Sequence, residues 1–259
     1  MIITTPIAAE SGHWYKQDGT PCYEVPLADS SGLRPTTLRD ARKLHLVPST
    51  TTILKSIAAP SLERWKSMQL LHAALTLPRH DGEAEDDYAA RVMEDSKAQG
   101  LKAREKGTEI HAAIERDLQG DYQPPNWQIR DCIFAARSAL NSIGLTEPFS
   151  LEKSFASPLG YGGKIDLSGN DFIVDFKTKA DWTDADVKRG LAYDENGMQL
   201  VSYARGLGRE KCSLVNIYIS TAMPGKYCVH EWPEAEHDRL WQMFQAVLTY
   251  WKHANKYFP

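Results

Sequence analysis

Gly163-Lys164-Ile165-Asp166-Leu167-Ser168-Gly169-Asn170-Asp171-Phe172-Ile173-Val174-Asp175-Phe176-Lys177 is the stretch that decides how this chain is read. Two runs rich in apolar residues flank a Ser-Gly-Asn-Asp cluster, the pattern of a β-hairpin. Side chains alternate along a strand, so Ile173, Asp175 and Lys177 share one face while Phe172, Val174 and Phe176 share the other. A carboxylate and an ammonium therefore project together. With the turn centred on Gly169-Asn170, Asp166 falls opposite Ile173 and diagonal to Asp175. Diagonal neighbours lie about 7 to 8 Å apart, close enough for two carboxylates to share one divalent cation. A slip of one residue would turn Asp166 to the opposite face. Oxygen ligands beside a lysine suit metal-dependent hydrolysis of a phosphodiester: the cation acidifies its water and the ammonium orients that water or neutralises developing charge. An ordinary surface hairpin carrying an Asp–Lys pair is the alternative.

Working outward, the segment before the hairpin reads as helical. Thr108 is placed to cap a helix whose buried stripe is Ile110, Ile114 and Leu118, with His111 and Glu115 on the adjoining stripe. His111 is a candidate metal ligand and Glu115 a supporting carboxylate. Asn126 to Ile143 reads as a further helix. Short strands follow at Leu151 to Ala156, Lys164 to Ser168 and Phe172 to Thr178, then a helix near 197 to 207. In that helix Gln199 and Tyr203 stand four apart, able to hold a phosphate or a water through hydrogen bonds. Strands at Leu214 to Ser220 and Tyr227 to Trp232 precede a last helix from Pro233, with Leu240, Phe244, Val247, Leu248 and Trp251 on one face. Toward the amino end, residues 13 to 27 read as a hairpin turning at Asp18-Gly19. Ser49 or Thr50 caps a short helix, and another follows Pro60 with Leu62, Trp65, Met68, Leu71 and Leu75 at helical spacing beside Arg64 and Lys66. The order of elements is α+β.

Composition bounds the possibilities. The 259 residues allow one large domain or two modest ones, and 42% apolar with 25% charged residues excludes a disordered chain. Lys and Arg number 30 against 34 Asp and Glu, a net charge of −4, so a nucleic-acid partner would have to meet a local basic surface. Cys22, Cys132, Cys212 and Cys228 are far apart and lack C-x-x-C spacing, which points to free thiols. The opening MIITTPIAAESG has no basic region or long apolar run, the first arginine is Arg34, and no window approaches the roughly 20 apolar residues of a membrane span. The expectation is a cytoplasmic protein with no membrane contact.

Taken in order, His111 within GTEIH, Asp166 within GGKID, Asp175-Phe176-Lys177 within IVDFKTK, and Gln199 to Tyr203 within MQLVSY resemble the motifs of the RecB-like branch of the PD-(D/E)XK nuclease superfamily. The resemblance covers roughly residues 105 to 256, and PSTTTIL followed by LERWK is similar to the helical region of the mitochondrial genome maintenance exonuclease and its phage and bacterial relatives. It implies a restriction-endonuclease-like fold: a central mixed sheet flanked by helices, with residues 105–259 as nuclease core and residues 1–104 as an amino-terminal hairpin and helical cover packed on it as one unit. It also implies a DNA exonuclease using Mg2+ or Mn2+, held by His111, Asp166, Asp175 and the backbone carbonyl of Phe176. Lys177 would assist the attacking water, with Gln199 and Tyr203 beside the site. Ser49, Arg64, Lys66, Lys164 and Lys179 are candidate DNA contacts. Implied partners are DNA with a free end, single-stranded, and a single-strand-binding or annealing protein. The three closely spaced cysteines that hold an iron–sulfur cluster in some relatives have no counterpart here, and no helicase motif is present. Two rivals stand beside this reading: an endonuclease on the same fold, and a non-catalytic DNA-binding or recombination module.

Overall fold

The computed structural model describes residues 12–29, 31–57, 60–120 and 122–259; residues 1–11, where the reading for a targeting leader falls, lie outside them. In chain order the elements are Trp14–Tyr15 (β1), Glu24–Pro26 (β2), Leu33–Pro35 (β3), Leu38–Leu44 (α1), Val47–Pro48 (β4), Thr50–Leu54 (α2), Pro60–Thr76 (α3), Glu85–Leu118 (α4) and Trp127–Ser142 (α5). Then come Ser150–Ser157 (β5), Tyr161–Ser168 (β6), Phe172–Lys179 (β7), Asp184–Arg189 (α6), Asp194–Gly206 (α7), Ser213–Ser220 (β8), Tyr227–Trp232 (β9) and Glu234–Asn255 (α8).

The strands rich in Val, Ile and aromatic residues assemble into a five-stranded sheet ordered β5-β6-β7-β8-β9. Neighbours run antiparallel except β7 and β8, which are parallel. A parallel pair needs a long crossover, here the stretch containing α6 and α7. On one face, Ile165, Ile173 and Leu214 pack with Met198 and Leu200 of α7 and with Leu240 and Phe244 of α8. On the other, Val174, Phe176, Val215 and Ile217 pack with Ile110 and Ile114 of α4 and Ile133 and Ala136 of α5. Each such fully buried Val, Leu, Ile, Met or Phe side chain stabilises the fold by roughly 1.5 to 3 kcal/mol relative to exposure. The architecture is thus α+β, a central mixed sheet flanked by helices, as the sequence leads one to expect. Among the described residues no helix is long and apolar enough to cross a membrane.

Several local expectations are corrected. The turn at Asp18-Gly19 forms, with Gly19 at φ 86° and its N–H bonded to the Lys16 carbonyl, and it closes a short hairpin in which Tyr15 bridges Pro21, the Lys16 N–H meets the Thr20 carbonyl and the Cys22 N–H meets the Trp14 carbonyl; the expected hairpin over residues 13 to 27 ends there. The longer-range pairings are β1 with β4 and β2 with β3. Pairing with β4 carries Trp14 into the core against Trp251 and Tyr257, a burial that a local hairpin could not supply. Thr108 caps nothing: it lies inside α4, its hydroxyl bonded to the Arg104 carbonyl, because the helix starts at Glu85. That helix runs unbroken through residues 104 and 105 and so joins the helical region to the sheet. α3 forms where expected, yet Leu62, Trp65, Met68, Leu71 and Leu75 are exposed, because among the described residues α3 packs along the first half of α4 and leaves that stripe uncovered.

Candidate active site

The hairpin closes with the Gly169 N–H bonded to the Phe172 carbonyl, so its turn is Asn170-Asp171, one residue later than expected. The register pairs Ser168 with Ile173 and Leu167 with Val174, and goes no further. This corrects the expected pairing of Asp166 with Ile173. The shift amounts to two residues along the partner strand, so parity, and with it the face, is preserved. Beyond Leu167 the alternation of β6 breaks. Tyr161 and Ile165 belong to the α7/α8 core but Leu167 to the α4/α5 core, and the residue at which the strand changes face is Asp166. Across on β5, Glu152 sits at φ 51°, a left-handed conformation inside a strand, and interrupts the ladder at the same level. The Asp166 carboxylate therefore points into the gap between β6 and β7. There Asp166 Oδ2 accepts the Phe176 N–H at 2.9 Å, in place of a ladder bond. In a strand pair one residue's N–H and C=O face the same neighbour, so the Phe176 carbonyl is turned toward that gap too.

Asp175, 3% exposed, lies on the face covered by α7. Its carboxylate is held on both oxygens. Lys177 Nζ stands 3.0 Å from Oδ1 and 2.9 Å from Oδ2; Gln199 Nε2 donates to Oδ1 and Asn216 Nδ2 to Oδ2, each at 2.8 Å. Gln199 also accepts from Lys177 at 2.9 Å and donates to the Tyr203 hydroxyl at 2.9 Å. Burial, and next the Asp175 charge, hold the Tyr203 phenol well above its ordinary pKa, so it acts as a neutral hydroxyl. Gly163 makes room for it: a Cβ there would come 2.6 Å from Tyr203 Cε1.

From the other side α4 brings His111. A Cβ on Gly107 would meet Thr178 Oγ1 at 2.7 Å, so α4 lies close against β7, and one turn later His111 Nδ1 is 3.6 Å from Asp166 Oδ2. His111, Glu115, Glu152, Asp166 and Phe176 line one small recess. Burial, and then the repulsion of the Asp175 carboxylate, push the Asp166 carboxyl above the ordinary range, a penalty that a bound cation would relieve. The donor set thus fits a hard divalent ion, and the His111–Asp166 separation is one that two ligands of a single cation can span. Among the described residues no group of three or more His, Cys, Asp or Glu side chains is placed to hold a metal ion, and Asp175 is bonded to Lys177, Gln199 and Asn216.

The remaining candidates are scattered. Lys164 is ion-paired with Glu152 at the rim of β6, and Lys179 lies over the rings of Tyr193 and Tyr218. Arg64 and Lys66 are on the exposed surface of α3, Lys66 bridged to Glu63. Ser49 caps α2 as expected, its hydroxyl accepting from the Thr52 N–H and donating to the Thr52 hydroxyl, and it is buried at 3% exposure. Sequence reasoning missed Asn216, Trp232 and Glu152. For Asn216 there was a signal, a lone amide inside the apolar run LVNIYIS.

No family model and no curated protein matches the chain. Among solved structures it is similar to an alkaline exonuclease (LHK-Exo) from Laribacter hongkongensis, at 16% identity over 74% of this chain and 97% of that one, TM-score 0.36. The same enzyme in complex with dAMP is matched at 15% identity over 72% and 90%, TM-score 0.32. The structure of SSO0001 is matched at 14% identity over 73% and 87%, TM-score 0.30. Overlap this low leaves the function to be read from the site's own residues.

Proposed function

We propose that the chain is a divalent-metal-dependent DNA exonuclease of the PD-(D/E)XK type, RecB-like branch, which hydrolyses phosphodiester bonds from a free, single-stranded end in phage or bacterial DNA processing. The observation that carries this reading is the meeting, at one splayed strand pair, of Asp166, Asp175 and Lys177, with His111 reaching in from α4. Mg2+ or Mn2+, held by Asp166, Asp175, His111 and the Phe176 carbonyl, would supply an acidified water and neutralise charge on the scissile phosphate. Lys177, whose side chain is 28% exposed, is the group of the Asp175 cluster that can turn toward a water or a phosphate oxygen. Gln199 and Tyr203 hold Asp175 and Lys177 in place. Glu115 borders the same recess as a supporting carboxylate. Lys164, Lys179, Arg64 and Lys66 are the proposed contacts to the DNA backbone, Lys164 and Lys66 exchanging their present partners Glu152 and Glu63 for phosphates. A net charge of −4 suits an enzyme that holds DNA briefly and releases it.

The test is digestion of linear single-stranded DNA labelled at either end, beside a covalently closed circular strand, in Mg2+, Mn2+ or EDTA. The linear strand is expected to shorten from an end, the circle to stay intact and EDTA to stop the reaction. Cutting of the circle would replace the exonuclease by an endonuclease, and absence of cleavage on both would remove the nuclease reading.

A further inference from the structure

We infer that Asn216 and Trp232 form a one-way hydrogen-bond relay that positions the Asp175 carboxylate for a divalent cation. The inference rests on the nuclease reading of this site and adds two residues to it. Asn216 is 0% exposed and lies directly beside Asp175 in the parallel register of β7 and β8. Its Nδ2 donates to Asp175 Oδ2 at 2.8 Å, and its Oδ1 accepts from Trp232 Nε1, on β9, at 2.8 Å. An indole N–H can only donate and a carboxylate can only accept, so the amide between them has a single orientation. Its strand neighbours Leu214, Val215 and Ile217 are apolar and buried, and an amide among them is costly unless both of its ends are bonded. Packing alone would be served by an aliphatic side chain at 216; what the amide adds is a fixed donor aimed at Asp175. Lys177, partly exposed, is the partner of Asp175 free to swing away, whereas Asn216 is locked between two strands. When Lys177 turns to substrate, Asn216 keeps Oδ2 in register while Gln199 keeps Oδ1. Asn216 and Trp232 are positioning residues, since neither reaches the solvent side of the site.

The experiment compares wild type, Asn216→Ala, Trp232→Phe and Leu240→Ala. Mn2+ affinity is measured by calorimetry without DNA, kcat and KM on linear single-stranded DNA, and melting temperature in EDTA. Both relay variants are expected to bind Mn2+ about 10- to 100-fold more weakly, the usual effect of removing a group that orients a ligand. Their kcat falls while KM for DNA stays within about twofold, since no substrate contact is removed. Trp232→Phe keeps an aromatic ring in the core and decides the matter if Asn216→Ala does not fold. Leu240→Ala, a cavity in the same core, is expected to lower the melting temperature and leave Mn2+ affinity unchanged. Wild-type Mn2+ affinity in both relay variants, or equal weakening in Leu240→Ala, overturns the relay. A wild type that binds Mn2+ but leaves DNA uncut removes the nuclease reading, and the affinities then still decide the relay; a wild type that binds no Mn2+ overturns both.

Discussion

Replacing Asp175 by Asn in the metal-free protein tests whether this carboxylate, proposed above as a metal ligand, is also an anchor of the fold. Its two oxygens receive Lys177 twice, Gln199 once and Asn216 once, all within 3.0 Å. Asparagine offers one acceptor oxygen and turns an NH2 group toward the other pair of donors. Asn216 cannot rotate to accommodate it, because Trp232 needs its oxygen. Gln199 could rotate, but its NH2 would then face Lys177, which has no acceptor. At least one buried donor is left facing a donor, a cost of about 1 to 3 kcal/mol. The larger penalty of roughly 3 to 5 kcal/mol for a stranded buried ion does not apply, since the Lys177 side chain is 28% exposed and can turn to water. Loss of the charge also relieves Asp166, which brings the expected net loss to about 1 to 2 kcal/mol. At about 2 to 4 °C per kcal/mol, the melting temperature should drop by about 2 to 8 °C. Asp166→Asn should behave oppositely. A carboxyl whose folded pKa is raised stabilises the fold only while protonated, and that contribution is lost as pH rises through the shifted range. At mildly alkaline pH an amide at 166 removes the repulsion and can still accept the Phe176 N–H, so melting should stay level or rise. The assay is thermal melting in EDTA for both variants. The reasoning is refuted by Asp175→Asn melting at or above wild type, or by Asp166→Asn losing more than Asp175→Asn.

Three further outcomes follow from packing and charge. Gly163→Ala places a methyl 2.6 Å from Tyr203 Cε1 and 2.9 Å from Phe155 Cε1, overpacking worth about 1 to 3 kcal/mol, and should lower both melting temperature and nuclease activity by pushing Tyr203 off Gln199. Gly100→Ala, inside α4 with its nearest neighbour Trp65 at 3.7 Å, should stabilise by about 0.5 to 1 kcal/mol, seen as a higher melting temperature with unchanged activity. The Asp40 carboxyl is held well below the ordinary range by Arg34 and then by the Thr37 cap of α1, so its contribution exists above that range and is lost as pH falls. The difference in melting temperature between wild type and Asp40→Asn should therefore be largest near neutral pH and shrink in acid, and a constant gap would contradict the assignment.

The hairpin that carries Asp175 and Lys177 was legible because alternation fixes which residues of a strand share a face, whatever the turn. The register was not, since Ser-Gly-Asn-Asp offers more than one turn dipeptide, and the one chosen by the fold shifts pairing by two residues while leaving Asp175 and Lys177 on the same side. What no alternation rule could show is the change of face at Asp166, which depends on the opposing Glu152 of β5. The helical pair Gln199 and Tyr203 was readable from spacing, and its use as a holder of Asp175 follows from the parallel β7–β8 pairing that places α7 above the site. The α3 stripe illustrates the opposite failure. Periodicity reports an apolar face, not the surface that covers it, and in this chain only Ala73 of that helix reaches full burial among the hydrophobic side chains described. The Thr108 cap failed because α4 starts at Glu85 and its upstream half packs on α3, so the stripe at Ile110, Ile114 and Leu118 marks where the helix meets the sheet and not where it begins.

The central claim is that Asp166, Asp175 and Lys177 form one hydrolytic site, and the most direct measurement is the rate of cleavage of end-labelled linear single-stranded DNA in Mn2+ by wild type, Asp175→Ala and Lys177→Met, with EDTA as the metal-free arm. Removing a single electrostatic stabiliser of the transition state typically costs about 2.7 to 4 kcal/mol, so each variant should fall roughly 100- to 1,000-fold below wild type, and EDTA should abolish the reaction. Cleavage by either variant at close to the wild-type rate, or cleavage that persists in EDTA, would contradict the account.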